Sequence, residues 1–308
     1  MTKPHILITG ASGLIGTALT NYFISQKYPV SHLGRTRYGL KGVQEYVWDI
    51  SSSSIEPGAL EQADMIIHLA GANVGKGSWT FARKKEIKES RWGGTRLLIQ
   101  QIQARCTSLQ KLIAVSGVGY YGDGPEDGLY VETDRPGSDF MAEVCQGWEN
   151  ETQKVNPVPW IIFRLGMVLS ADGGVLEKFI TPVRYMIGSS IGSGKQRLPW
   201  IHITDLCCAM GMAVLSKEMH GIYNLVSPEI TTQAHLMKTI AKEMKKPFLP
   251  VGVPSFIIRM MLGDQADLVL SDTGVSAEKI QQAGFEFSYT HLESAIADLL
   301  KNASCKIT

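Results

Sequence analysis

The chain has 308 residues, of which 44% are hydrophobic and 19% are charged, so it is long enough for one large globular domain or for a core domain with a smaller partner. Its formal net charge of +1 at pH 7 is not typical of proteins that bind nucleic acid or an anionic membrane. No apolar run is long enough to span a bilayer, and the first predicted strand begins too near Met1 for a signal peptide. We therefore expect neither nucleic acid nor a membrane among its partners.

The cysteine and histidine pattern indicates the compartment of the protein. The five cysteines are Cys106, Cys145, Cys207, Cys208 and Cys305, an odd number without a Cys-x-x-Cys spacing. This pattern is typical of neither a disulfide framework nor a zinc site, and it favours a reducing compartment, so we predict a cytoplasmic location. The seven histidines show no metal-ligand spacing either, so we expect no metal.

The first predicted strand, His5–Ile8, runs into a turn with glycines spaced as G-x-x-G-x-x-G, and a helical pattern follows. In this context Gly10 permits the tight turn, Gly13 lets the backbone approach a pyrophosphate, and Gly16 lets the helix pack closely on the strand. The phosphates then lie at a helix N-terminus, where unpaired N–H groups and the helix dipole favour anions. The alternative is an ordinary glycine-rich turn without a ligand.

The end of the second predicted strand, Val30–Gly34, indicates which dinucleotide is preferred. An NAD site usually has an acidic residue here, which binds the 2′-hydroxyl of the ribose. This chain instead has Arg35 and Arg37, with no carboxylate over residues 33–37. Because a cation at this position pairs with a 2′-phosphate, the sequence predicts NADP(H) as the cofactor. The alternative is that both arginines are only solvated surface residues.

The third and fourth predicted strands each end beside a candidate cofactor contact. Asp49 follows the third strand, residues 45–48, and either binds an adenine amino group or caps the turn. The fourth strand, residues 65–69, is almost continuously apolar, as buried parallel strands are. It leads into Ala70 and Gly71, small residues that let a ribose and phosphates lie close to the backbone.

Strands and helices continue to alternate toward a sixth predicted strand at residues 160–163. A long helical period over residues 80–104 carries Glu86 and Arg91, and some of its polar side chains can face the cofactor. The alternation predicts an α/β fold with a right-handed, doubly wound parallel sheet. From Gly173 onward, helices, short strands and turns are mixed, which indicates a smaller second lobe interleaved with the last strands of the sheet.

Motifs along the whole chain resemble those of the extended short-chain dehydrogenase/reductases, which include the nucleotide-sugar epimerases. The motifs shared with that group are the glycine turn, Leu69–Gly71, Tyr121–Gly122 and Trp200–Leu206. The chain is more closely similar to their "epimerase family" branch, whose substrate is unknown. The motifs shared with this branch are Ser90–Trp92, Gly119–Asp123, Trp148–Glu149, Ile191–Gly194 and Ala283–Phe285.

The resemblance implies a Rossmann-type core that binds NADP(H), over residues 1–165. It also implies a smaller C-terminal α/β substrate lobe, over residues 166–308, which ends in a family-specific tail. The candidate cofactor contacts, from the resemblance and from the patterns above, are Gly10, Ser12, Gly13, Leu14, Ile15, Gly16, Arg35, Asp49, Leu69, Ala70, Gly71, Glu86, Arg91, Arg164 and Leu165.

One helix departs from the pattern of the superfamily. That pattern uses Tyr-x-x-x-Lys, in which the tyrosine is the acid/base and the lysine lowers its pKa. Depending on the register, the corresponding helix places Met141 and Cys145, or Phe140 and Val144, at these two positions. Neither pair supplies a phenol or an ammonium group, so the conventional proton transfer is absent.

Three replacements for the missing pair are open. Tyr120 or Tyr121 donates the proton while Ser116 orients a carbonyl, or Glu132 or Asp134 acts as a base if it is buried. The third alternative is that no group does the chemistry. Among these we predict Ser116 and Tyr121 as the catalytic residues.

Candidate residues in the second lobe have plain structural interpretations. Asp205 is predicted as a helix N-cap, and His202 as a hydrogen-bonded structural histidine. Lys195, Gln196 and Arg197 either form a solvated loop or contact an anionic substrate.

Two functions agree with the sequence. The first is an NADP(H)-dependent oxidoreductase or epimerase, a monomer or homodimer, that acts on an unknown small molecule with a non-standard acid/base. The second is a catalytically inactive regulator or scaffold that binds NADP(H).

Overall fold

The computed structural model describes residues 3–105, 108–124 and 128–304, so Cys106 and Cys305 lie outside the described residues. The strands are β1 (Ile6–Thr9), β2 (Val30–Gly34), β3 (Gln44–Asp49), β4 (Ser54–Ile55), β5 (Met65–His68), β6 (Lys111–Gly117), β7 (Trp160–Leu165), β8 (Met167–Ser170), β9 (Gly173–Gly174), β10 (Ser189–Ile191), β11 (Trp200–His202), β12 (Gly221–Leu225) and β13 (Leu249–Val253). The α-helices are α1 (Leu14–Ser25), α2 (Phe81–Ala104), α3 (Phe140–Thr152), α4 (Val175–Arg184), α5 (Ile203–Leu215), α6 (Gln233–Glu243), α7 (Ser255–Leu262), α8 (Asp267–Leu270), α9 (Glu278–Gln282) and α10 (Leu292–Ser304).

Eight strands form one sheet in the order β12-β7-β6-β5-β1-β2-β3-β4. All neighbouring strands are parallel except β3 and β4. The central order β3-β2-β1-β5-β6-β7 is that of a Rossmann-type fold, and the strand order reverses between β1 and β5. The predicted α/β fold with a doubly wound parallel sheet is therefore confirmed. In such sheets a ligand binds at the carboxyl ends of the strands, beside this reversal.

Successive side chains of a strand point to opposite faces of the sheet. Because the apolar side chains of this sheet are buried on both faces, helices cover both of them. Ile6 and Ile8 of β1 are fully buried in a core that includes α1 and α5. Leu7, between them, packs on the other face with Leu98 of α2. Within the described ranges, no helix is long and apolar enough to cross a membrane.

The chain beyond Leu165 builds a smaller set of elements and also returns to the main sheet. β12 pairs in parallel with β7 and forms one edge of that sheet. β8, β9 and β11 form a small separate sheet, and β10 pairs with β13. A third core cluster packs α4, α6 and α10 around the buried Trp200. The division into a core over residues 1–165 and a lobe over residues 166–308 stays a prediction.

The start of α5 differs from the prediction. His202, rather than Asp205, is the N-cap, and its Nδ1 accepts a hydrogen bond from the backbone N–H of Thr204 at 3.1 Å. The carboxylate of Asp205 accepts hydrogen bonds from the backbone N–H groups of Ser288 and Tyr289, at 2.8 and 3.0 Å. The predicted N-cap role of Asp205 is wrong, because this carboxylate anchors a segment far along the chain.

A buried ion pair fastens α3 to β7. The side chains of Arg164 and Glu149 are 1% and 3% exposed, and two guanidinium nitrogens donate to the two carboxylate oxygens at 2.8 Å each. The third guanidinium nitrogen donates to the hydroxyl of Tyr121 at 2.9 Å and to the carbonyl of Glu132 at 3.2 Å. The guanidinium also lies over the ring of Tyr120, 3.4 Å from its centroid. Arg164 thereby ties the segment after β6 to the sheet.

Candidate functional site

A cleft of about 480 Å³ opens at the carboxyl ends of β1, β2 and β5, where the strand order reverses. Its volume is in the range of small-molecule sites. We call it the first cleft. Eight of the predicted cofactor contacts line it, namely Gly10, Ser12, Gly13, Arg35, Leu69, Ala70, Gly71 and Glu86.

A side chain would have different surroundings at each of the three glycines of the turn. Gly10 has a φ of 70°, and a Cβ on it would lie 3.0 Å from the backbone of Ala70. A Cβ on Gly16 would lie 2.5 Å from the carbonyl oxygen of Gly10, so a side chain there would push α1 away from β1. A Cβ on Gly13 would meet no atom nearer than 3.4 Å, so the space beside Gly13 belongs to the cleft. This geometry fits a pyrophosphate at Gly13.

The N-terminus of α1 opens onto the first cleft. Gly13 is the N-cap, no side chain caps the helix there, and its first turn contains no acidic residue. The N–H groups of Leu14, Ile15 and Gly16 belong to the first turn, where no acceptor exists within a helix. These three residues therefore offer backbone N–H groups, not side chains, to an anion in the cleft.

Two arginines follow β2, and the structure separates their roles. Arg35 is exposed and lines the first cleft, and none of the described residues forms an ion pair with it. Arg37 pairs with Glu56 and donates to the carbonyl of Glu45, so its guanidinium is used within the protein. Arg35 is therefore the cation that remains available to a ligand.

Glu45 of β3 lines the same end of the cleft and was missed by the sequence analysis. Burial raises its pKa, but hydrogen bonds from the backbone N–H groups of Tyr38 and Gly39, at 3.0 and 2.8 Å, outweigh that effect and the pKa is lowered. Hydrogen bonds with Ser12 and Thr36 lower the pKa of the Tyr38 hydroxyl. Glu45 therefore holds the turn after β2. The signal that could have revealed this role is the pairing of β3 with β2, which brings Glu45 next to that turn.

A buried relay of hydrogen bonds, formed by Thr9, His68 and Thr95, holds the ends of β1 and β5 together. Thr9 Oγ1 lies 2.7 Å from Nδ1 of His68, and Nε2 of His68 lies 2.9 Å from Oγ1 of Thr95. Burial lowers the pKa of His68 to about 4, so the ring is neutral at pH 7. Thr9 Oγ1 also accepts hydrogen bonds from the backbone N–H groups of Leu69 and Ala70, at 3.1 and 3.2 Å. The relay therefore positions a segment that lines the first cleft.

Helix α2 supports the same segment. Ser90 Oγ accepts a hydrogen bond from the backbone N–H of Ala72 at 2.9 Å, and Arg91 donates to the carbonyl of Ala72 at 3.0 Å. A Cβ on Gly71 would come within 2.9 Å of the Arg91 guanidinium. Arg91 therefore lies behind this loop and shapes it, whereas Glu86 lines the cleft itself.

Two of the predicted cofactor contacts have partners within the protein. The carboxylate of Asp49 accepts hydrogen bonds from the backbone and hydroxyl of Ser51 and from the hydroxyl of Ser52, so it caps the turn. Arg164 is buried in the ion pair described above and does not line the first cleft. Both residues thus have a role in the fold, and their predicted contact with the cofactor stays a prediction. Leu165 lines a different cleft.

This second cleft, of about 540 Å³, is lined by residues that follow β6 and β7, by α3 and by parts of the C-terminal half of the chain. Phe140, Met141 and Cys145 of α3 line it, while Val144 is fully buried in the core. Two registers placed either Met141 and Cys145 or Phe140 and Val144 at the tyrosine and lysine positions. Only in the first register do both side chains line the cleft.

Ser116 lies next to Cys145, which lines the second cleft. Burial raises the pKa of the Cys145 thiol to about 11. The thiol is therefore protonated near neutral pH. Ser116 is 5% exposed and does not line the second cleft. Its predicted role of orienting a carbonyl stays a prediction.

Tyr121 does not fit the proton donor that the sequence predicts. It is 1% exposed, and its hydroxyl donates to Asn224 Oδ1 at 2.7 Å and accepts from Arg164 at 2.9 Å. Burial raises the pKa of Tyr121 to about 12, although Arg164 opposes the rise. The acidic alternatives also have structural partners, since Glu132 accepts the backbone N–H of Asn224 and Asp134 accepts a backbone N–H three residues earlier. Tyr121 is therefore part of a buried network.

The loop that precedes β11 is not simply solvated. Gln196 is buried and donates to two backbone carbonyls, each at 3.0 Å. Arg197 lines the second cleft and pairs with both carboxylate oxygens of Asp272, at 2.8 Å each. Only Lys195 of this group is exposed. Gln196 and Arg197 therefore connect the loop to the C-terminal half of the chain.

Among the described residues, the fold brings together one group of metal-ligand residue types. Ligand atoms of Glu229, His235 and Glu293 lie within 4.8 Å of one another. His235 Nε2 is 3.0 Å from a carboxylate oxygen of Glu293, and Glu229 accepts the backbone N–H of Leu292 at 2.6 Å. Both carboxylates thus have partners within the protein. Spacing along the sequence could not reveal this group.

A Rossmann-type sheet, a glycine turn at an uncapped helix N-terminus and a cleft at the strand reversal define a protein of the NAD(P)-binding short-chain dehydrogenase/reductase type. The chain belongs to the NAD dependent epimerase/dehydratase family, whose model matches residues 6–225. Residues 253–299 match a second model, described as a domain of unknown function (DUF1731).

Relatives of the chain come from bacteria and from human. Epimerase family proteins of Staphylococcus aureus (strain N315) and Mycobacterium leprae are 32% and 29% identical, over 96% of this chain and 98% and 95% of theirs. The crystal structure of human epimerase family protein SDR39U1 (isoform 2) with NADPH has a TM-score of 0.88 and 27% identity, over 97% of this chain and 99% of that one. A Thermus thermophilus UDP-glucose 4-epimerase in complex with NAD shares the fold, with a TM-score of 0.76 and 18% identity, over 97% of this chain and 99% of that one. The resemblance stated from the sequence is confirmed.

We expect Gly13→Val to abolish NADPH binding and to leave the fold intact. The valine side chain would enter the first cleft where a pyrophosphate approaches the backbone, while a φ of −78° accommodates a side chain without strain. Calorimetric titration with NADPH and thermal unfolding followed by circular dichroism measure the two effects.

The matched control for this variant is Gly75→Val. A Cβ on Gly75 would likewise meet no atom nearer than 3.4 Å, and Gly75 lines neither cleft, so this variant should bind NADPH normally. Normal NADPH binding by Gly13→Val, or gross unfolding of that variant, would show that the turn has been misassigned.

We expect Tyr121→Phe to lower the free energy of unfolding by about 1–3 kcal/mol, because it leaves Oδ1 of the buried Asn224 amide without its donor and removes one of the acceptors of the Arg164 guanidinium. NADPH affinity should not change, since Tyr121 does not line the first cleft. Urea unfolding and calorimetric titration test both statements, with the exposed Tyr185→Phe as the control. An unchanged urea midpoint would contradict the structural role assigned to this hydroxyl.

Proposed function

We propose that the chain binds NADP(H) in the first cleft and is an oxidoreductase or epimerase that acts on a small molecule. The pyrophosphate lies over the turn of residues 10–16 in this proposal, because Gly13 leaves space there and α1 is uncapped. The adenosine half extends toward Arg35, since the end of β2 is where Rossmann-type folds read the adenine ribose. Leu69, Ala70 and Gly71 line the same cleft and complete the contacts.

The observation that carries the preference for NADP(H) is the position of Arg35. It lines the first cleft without an ion pair to any described residue, and Thr36 and Tyr38 line the cleft beside it. Together they offer a charge-assisted bond and hydroxyl groups to a 2′-phosphate. Glu45 lines the same cleft, and its Oε2 accepts hydrogen bonds from the backbone N–H groups of Tyr38 and Gly39, while its Oε1 lies 3.9 Å from Nδ1 of His32. The human relative whose structure contains NADPH supports the same preference.

We expect the wild-type protein to bind NADPH more tightly than NADH, and Arg35→Ala to remove most of the difference. Loss of a charge-assisted phosphate contact costs about 1.5–3 kcal/mol, roughly tenfold or more in affinity. NADH affinity should stay the same, because NADH has no 2′-phosphate. Calorimetric titrations of both proteins with both cofactors measure this.

Arg37→Ala is the matched control, since Arg37 lies two residues away but pairs with Glu56. It should leave the preference for NADPH unchanged. Equal affinities of the wild type for NADPH and NADH would contradict the proposed cofactor.

The second cleft supports an enzymatic role. A bound nicotinamide supplies a hydride donor or acceptor. Gly117 and Gly119, at and just after the end of β6, and Leu165, at the end of β7, line the second cleft, so it lies at the carboxyl edge of the sheet that also forms the first cleft. An open cavity at this edge gives a substrate space beside the cofactor.

The second candidate function is an NADP(H)-binding regulator or scaffold without turnover. It is favoured by Met141 and Cys145 at the tyrosine and lysine positions, and by the buried network that contains Tyr121. Metabolites that co-purify with the protein should be tested for NADPH oxidation. Turnover of a recovered compound would support the enzyme, and tight NADPH binding without turnover would support the regulator.

The cysteine pattern further leads us to propose a cytoplasmic location.

A further inference from the structure

Aromatic and aliphatic side chains make up most of the wall of the second cleft. Those on which the inference rests are Trp79, Phe140, Met141, Val175, Phe179 and Leu268. The rings of Trp79 and Phe140 pack edge to face, with centroids 4.9 Å apart. Trp79 Nε1 donates to the carbonyl of Val74 at 2.9 Å, which fixes the indole in place. This part of the wall is therefore a rigid aromatic surface.

The two described cations of the second cleft are already paired with carboxylates. Among the described lining residues the cations are Lys84 and Arg197, and each has a carboxylate partner, Asp264 and Asp272. Three carboxylates line the same cleft, those of Asp139, Asp264 and Asp267. A nucleoside diphosphate needs cations or free N–H groups to replace its hydration, and these carboxylates would repel it.

We propose that the second cleft binds an uncharged, largely apolar ring compound, and that it does not bind a nucleotide sugar. This names the substrate class of the proposed function and rests on it. Burial of a ring against Trp79 and Phe140 supplies the binding free energy, because apolar area is removed from water on both partners.

Binding of two probes to the wild-type protein tests the proposal. The probes are 1-tetralone, an uncharged bicyclic ketone, and UDP-glucose, each titrated calorimetrically with and without saturating NADPH. We expect heat of binding from 1-tetralone and none from UDP-glucose. Binding of UDP-glucose as tight as that of 1-tetralone, in either condition, would overturn the proposal.

Charged substitutions locate the binding site. Val175→Asp places a carboxylate in the cleft wall at the first residue of α4, where an acidic residue is compatible with the helix dipole. Leu268→Asp does the same at a partly exposed position, so it retains the test if Val175→Asp does not fold. We expect each to weaken 1-tetralone binding at least about tenfold. Val251→Asp is the matched control, because Val251 is 79% exposed and lines neither cleft.

The outcomes separate this proposal from the proposed function. If both cleft variants bind 1-tetralone like the wild type and like Val251→Asp, the second cleft is not its site and the proposal fails, whatever the NADPH affinity. If the wild type binds 1-tetralone in the second cleft but does not bind NADPH, the proposed cofactor fails while the ligand class stands.

Discussion

The close approach of α1 to the end of β1 is the constraint on which the candidate site depends. A Cβ on Gly16 would lie 2.5 Å from the carbonyl of Gly10, so this approach requires glycine. The approach places the uncapped N-terminus of α1 at the strand reversal, where its N–H groups offer an anion site. The buried relay of Thr9, His68 and Thr95 fixes the neighbouring strand end, so both sides of the first cleft are held by groups inside the core.

The two clefts share one edge of the sheet but differ in their chemistry. The first has backbone N–H groups, small residues and an arginine that forms no ion pair with any described residue, which suit a phosphorylated dinucleotide. The second has aromatic and aliphatic walls with paired cations, which suit an uncharged ligand. Helix α3 lies beside the second cleft with Met141 and Cys145 where a catalytic pair is usual in the superfamily. Any proton transfer in this protein therefore depends on a group other than the usual tyrosine.

The sequence predicted what local patterns determine. Continuous apolar runs and the G-x-x-G-x-x-G spacing identified the strands and the turn, because both depend on residues close together in the chain. Predictions about Asp205, Arg164 and Tyr121 did not describe their structural roles, because their partners lie on other elements, such as Ser288 for Asp205 and Asn224 for Tyr121. Glu45 escaped notice for the same reason, since it reaches the turn after β2 from a neighbouring strand.

A crystal structure of the protein grown with NADPH tests the central claim most directly. The account predicts pyrophosphate density over residues 10–16 and the 2′-phosphate at hydrogen-bond distance from the guanidinium of Arg35, with the nicotinamide directed toward the second cleft. A nucleotide bound elsewhere, or one in the first cleft whose 2′-phosphate does not contact Arg35, would contradict it.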